Sequence, residues 1–163
     1  MVFVEKSLED AIVNLLRDAL PGVRVESSWG QVPEGEEKGV ETPDDGVAIA
    51  VAVGAPEWDR YLVPSCSLPV ALAVTVRRET APDAAALSRV MAPIANMLFE
   101  LQSNVAATWP LSIPGFNCGG VRVDGGTPPA YSAASGIWRM TRSFTVRGVM
   151  SAPEEVEESA PTE

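Results

Sequence analysis

The chain contains no histidine, which removes the commonest general base and the commonest metal ligand together. Lysine is almost as scarce, with Lys6 and Lys38 alone, so a Ser–Lys dyad or a Schiff-base lysine has little to draw on. The only cysteines, Cys66 and Cys118, lie far apart and outside any C-x-x-C spacing. They read as reduced thiols rather than as a redox motif or a metal site. No apolar run approaches the roughly 18 residues of a membrane span. The opening stretch MVFVEKSLED meets a charge at Glu5 and lacks the pattern of a secretory signal.

What is present is an ordinary globular composition, 46% hydrophobic and 21% charged over 163 residues. A chain of that length suits one domain, and it can bury about 70% of its unfolded surface without staples. The net charge of −10 is unevenly placed. Residues 151–163, SAPEEVEESAPTE, hold acids and no base, and residues 32–46 hold six acids against Lys38. Outside those two segments acids and bases balance, so the body is near neutral and offers no basic stripe for nucleic acid. The expectation is a single domain over residues 1–150 and a disordered acidic tail over residues 151–163.

Periodicity organises the body. Leu8, Ala11, Ile12, Leu15, Leu16 and Ala19 form one helical stripe, predicting a helix over residues 8–20 with Ser7 as cap and Pro21-Gly22 as stop. A short strand, VRVES, follows. In GVAIAVAVG, Val47, Ile49, Val51 and Val53 alternate with alanines. The stretch from residue 55 to 67 reads as irregular. SLPVALAVTVRRE then alternates without a break, as expected of a central strand paired on both edges. A second helix is expected after Thr80-Ala-Pro-Asp83, running to about residue 102 with Pro93 inside it. A short VRVD strand between two diglycines and a Pro-Pro loop lead to the last strand, IWRMTRSFTVRGV. There Trp138, Met140, Phe144 and Val146 share one face with Arg142 as the odd member, while Arg139, Thr141, Ser143, Thr145 and Arg147 share the other. This order predicts an α+β two-layer sandwich, a mostly antiparallel, mixed sheet of about five strands with two helices on one face.

The chemistry-bearing groups form no catalytic constellation. Ser65-Cys66-Ser67 is the one clustered nucleophile candidate and has no base beside it. Glu57/Asp59 and Asp44/Asp45 are carboxylate pairs in segments that read as exposed loops, where neither pKa would move far. Asp44-Asp45-Gly46 with Glu41 lacks the spaced ligand set of a calcium loop. The diglycines flank a strand instead of opening a helix, so they do not cradle phosphate. No enzyme activity, cofactor or metal is expected. The remaining signal is arginine on strands and their ends: Arg77, Arg78, Arg122, Arg139, Arg142 and Arg147. Arginine forks suit carboxylates and are enriched at protein interfaces, so these six are the candidate protein interface. Four tryptophans, Trp29, Trp58, Trp109 and Trp138, leave open a small-molecule binding module instead.

The stretches VALAVTVRRE, DAAALSRVMAPIANMLFELQ and IWRMTRSFTVRGVM, in this element order, resemble tail terminator and tail-completion proteins of long-tailed bacteriophages, the minor tail protein U-like group. The resemblance spans roughly residues 5–150 and rests on architecture. It implies a small α/β domain that forms a ring, typically a hexamer, on the last disc of the tail tube. It also implies tail tube and head connector proteins as partners, with cytoplasmic assembly in a bacterial host and a final place in the virion tail. A head–tail connector or stopper is the neighbouring alternative. The family has no catalytic residue to carry over.

Overall fold

The computed structural model of the chain describes residues 4–27, 46–59, 64–102 and 109–150. The acid-rich residues 32–45, residues 151–163 and Trp29 fall outside the described residues. Among the described residues two helices and six strands follow one another as α1 (Val4–Ala19), β1 (Arg24–Ser27), β2 (Val47–Val53), β3 (Glu57–Asp59), β4 (Ser65–Arg77), α2 (Ala84–Leu101), β5 (Phe116–Ser132) and β6 (Ile137–Met150).

The strands form one sheet in the order β1-β2-β4-β6-β5, with β3 also paired to β4. Only β1 and β2 run parallel; every other pairing is antiparallel. β4 is central, as its alternation predicts, flanked by β2 and β3 on one side and by β6 on the other. The β4–β6 ladder runs without a register shift from Ser65↔Val149 to Arg77↔Ile137. Each odd residue of one strand therefore faces the same way as an odd residue of the other.

The even face of that ladder holds the core. Leu68, Val70, Leu72 and Val74 of β4 lie beside Val146, Phe144 and Met140 of β6, and Ile49 and Val51 of β2 continue the layer. Leu8, Ile12 and Leu16 of α1 and Leu87, Ile94, Leu98 and Leu101 of α2 join the same buried cluster, which puts both helices on one side of the sheet. Arg17 fixes the end of α1, its guanidinium donating to the Val25 carbonyl of β1 at 2.9 and 3.1 Å.

Several boundaries differ from the sequence expectation. α1 begins at Val4 rather than near Leu8, because Val4 extends the buried stripe by one turn and Ser7 lies inside the helix. The cap of α2 is Asp83, whose side chain accepts the Ala86 N–H at 2.8 Å, so Pro82 stands before the cap. The stretch read as irregular contains β3, which raises the strand count from about five to six. β5 is one strand of 17 residues passing through both diglycines and through Pro128-Pro129. It absorbs them with three register shifts against β6, between Cys118 and Gly120, Val123 and Gly125, and Thr127 and Ala130. Shifts of this kind keep an edge strand paired on its inner side while twisting its outer edge. The β5–β6 turn closes through Gly136 at φ 67, whose N–H reaches the Ser132 carbonyl at 2.8 Å.

Candidate interaction surface

Among the described residues no helix covers the odd face of the sheet. Strand register arranges it in rows from β1 to β5. Glu26, Ala50, Ala73, Thr141 and Thr127 form one row, and Ala52, Ala71, Ser143 and Gly125 form the next. Apart from Glu26 on the edge strand β1, these side chains are small, which keeps the middle of the face low. Thr127 and Thr141 bind each other through their hydroxyls at 2.9 Å, and each hydroxyl also accepts the other's backbone N–H.

Arginines stand at the two ends of this face rather than in one patch. At one end Arg139 lies in a row with Thr75 and Ala130, and Arg77 lies beside Ile137. Arg78 is exposed in the turn after β4, where its backbone N–H donates to the Gly136 carbonyl at 3.0 Å. At the other end Arg122 and Arg147 flank Thr145. Eight residues of β6 separate Arg139 from Arg147, about 26 Å at about 3.3 Å per residue.

The far end is neutralised locally. Arg122 pairs with Asp124 at 2.7 Å, and Arg147 pairs with Asp59 of β3 at 3.3 Å. Thr145 donates its hydroxyl to Asp124, and Arg122 in turn reaches the Thr145 hydroxyl at 3.4 Å. Those donors, Thr145 first and then Arg122, hold the Asp124 carboxyl below its ordinary pKa. Ser65, Ser67, Gly120, Arg122, Thr145 and Arg147 line a shallow open groove there. Gly119 and Gly120 line it without a side chain.

Arg142 does not belong to this face. It lies on the core side, in register with Leu72 and Gly126. β6 does not bulge to place it there. Instead the guanidinium crosses to the edge strand, Nη1 donating to the carbonyls of Thr127 and Thr141 at 3.1 and 3.0 Å. Of the six arginines expected at an interface, four occupy the open face in two groups, one sits in a turn and one is on the opposite side of the sheet.

The catalytic candidates fare differently. Ser65 and Ser67 face the open side, whereas Cys66 between them is buried. Burial pushes both thiols upward in pKa, with the charge of Glu5 adding to the effect at Cys66. An activated nucleophile needs the reverse shift. Cys66 and Cys118 both pair in register with Gly148, so two strand spacings, about 9.6 Å, separate their backbones. That exceeds the span a disulfide can bridge. Asp44 and Asp45 fall outside the described residues. Among the described residues no cluster of potential metal ligands occurs.

The described tryptophans do not share a pocket. Trp138 donates its indole N–H to Ala81 before α2, and Trp109 donates to Leu101 at the helix end. An 18-residue helix, about 27 Å long, lies between those two anchors. Trp58 is half exposed on β3.

No protein-family model matches the chain, and no curated protein matches it. Among solved structures, a chain described as "Virion of native gene transfer agent (GTA) particle" shares the fold. It superposes with a TM-score of 0.54 at 16% identity, over 91% of this chain and 99% of that one. A second solved chain covers 93% of this one at 14% identity, but its TM-score of 0.48 gives it no weight.

Proposed function

We propose that this chain is a structural component of a phage-like virion, acting as a tail terminator. The observation that carries the reading is the likeness of fold to the gene transfer agent virion chain, which leaves almost nothing of either chain unmatched. The open sheet face adds support, since it offers area and arginine forks for contact but no activated nucleophile or acid–base pair.

The mechanism is steric. Copies close into a ring, typically of six, on the last disc of the tail tube, and the completed ring leaves no site for another tube subunit. The opposite side of the ring meets the head connector. Arg77, Arg139 and Arg147 at the ends of the open face, with Arg78 in the turn after β4, contribute contacts to neighbouring copies or to the tube. Assembly takes place in the bacterial cytoplasm and the product stays in the virion tail. No nucleic-acid specificity, membrane association, cofactor or catalytic step is part of this function.

Electron microscopy of particles made without this protein tests the role. Tubes that overrun their normal length are expected. Tubes of normal length detached from heads would assign the chain to the connector or stopper class, and intact particles would contradict both.

A further inference from the structure

Two surfaces on the helix side of the molecule expose large apolar side chains among the described residues. The first is the core-side face of the edge strand β5 with the neighbouring part of β6. Val123 is 57% exposed and Tyr131 40% exposed, although both point to the core side, in register with Phe144 and Trp138. Tyr131 leans on Trp138 with ring centroids 5.3 Å apart. Arg142 lies between these two rows, half-buried, and only its Nη1 is engaged, by two backbone carbonyls. Tyr131, Trp138 and Arg142 follow one another along this face, with Val123 about 20 Å from Tyr131 at about 3.3 Å per residue, and Tyr, Trp and Arg are the residue types that dominate binding energy at protein interfaces.

The second surface is the outward side of α2. Ala85, Ala92 and Phe99 recur every seventh residue and are all exposed, Phe99 at 78%. Only Arg89 and Glu100 carry charge in this 18-residue helix. By length and composition alone it resembles a membrane span, yet its inner side belongs to the core. The small residues leave Phe99 standing as a ridge with Glu100 beside it.

We infer that the hairpin face of one copy receives the α2 ridge of a second copy, head to tail. Within one copy the two cannot meet, since the α2 ridge points away from the sheet and the hairpin face points toward the helix layer. Charge favours the same occupant. Among the described residues neither Arg142 nor the exposed Glu100 has an ion pair. Edge-to-edge strand addition is the competing way to join copies. The distal half of β5 opposes it, because Pro128 and Pro129 lack donors and the register shifts twist the edge. A contact between two different patches is heterologous and closes into a ring if the rotation permits. The inference rests on the assembly reading above only in requiring that copies meet, not on the terminator role.

The test is disulfide trapping in the full chain carrying Phe99→Cys and Val123→Cys, read beside native mass spectrometry. The double variant is expected to give a ladder of covalent multimers under oxidation, while each single variant stops at a dimer. Phe99→Ser, on an exposed side chain, should leave the melting temperature unchanged and weaken self-association by about tenfold or more, the effect of losing a hot-spot residue. Oligomers that persist at wild-type affinity in Phe99→Ser, with no ladder from the double variant, would overturn this contact and leave the assembly reading standing. A strict monomer, alone and with the tube protein, would overturn both.

Discussion

Trp138 of β6 donates its indole N–H to the carbonyl of Ala81 at 3.0 Å across 57 residues of sequence. The bond ties the closing strand to the backbone just before α2. Ala81 is fully buried, so its carbonyl has no access to water if the indole is lost. Trp138→Phe should therefore destabilise the fold by about 1–3 kcal/mol, the cost of leaving a buried acceptor unmet. Trp58→Phe, at a half-exposed position, should change stability by less than about 0.5 kcal/mol. Chemical denaturation midpoints of the two variants check the contrast.

Gly148 separates the two cysteines in the sheet, and Phe116 fills the space its missing side chain leaves. A Cβ at Gly148 would stand 2.3 Å from the Phe116 ring and 2.5 Å from the Asn117 carbonyl oxygen. Gly148→Ala should cost about 1–3 kcal/mol through overpacking. The same arrangement bears on the thiols. Under oxidising conditions the folded chain should form no Cys66–Cys118 bridge. Cys66, 1% exposed, should resist alkylation until denaturant is added. Mass spectrometry after thiol labelling reads both outcomes.

Asp124 supplies a pH dependence with a definite sign. Its folded pKa is lowered by Thr145 and Arg122, so the unfolded state takes up protons first as pH falls. The contribution to stability is present above the unfolded value, about 3.9 for an aspartate, and is lost as pH falls through the folded value. Because solvent reaches the carboxyl, the effect is small. NMR titration should place the Asp124 midpoint below the reference, and Thr145→Ala should move it upward. A midpoint that Thr145→Ala leaves in place would contradict the assignment of cause.

Much of this architecture is legible in the alternation of β2, β4 and β6, because a sheet with one covered face forces apolar residues to every second position. The face assignment of Arg142 is legible in the same way, although its destination is not. That depends on the carbonyl of Thr127, which β5 brings alongside. β5 itself escapes reading, because Gly119, Gly120, Gly125, Gly126, Pro128 and Pro129 are poor strand formers. They are tolerated where one edge is unpaired and the register can shift. β3 is too short for periodicity to register. The candidate site divides similarly. The arginines and hydroxyls of one β6 face can be counted from sequence, but their split into two distant groups requires strand register. The exposed ridge of α2 escapes because Phe99 and the alanines beside it are residue types usually found in a core.

Contact between copies, rather than chemistry, is the central claim. Native mass spectrometry of the full chain, alone and with the tail tube protein, tests it most directly. A single discrete multiple of the 17.2 kDa protomer, formed alone or on the tube, is the expected result. A monomer under both conditions, or an open-ended series of masses, would contradict it.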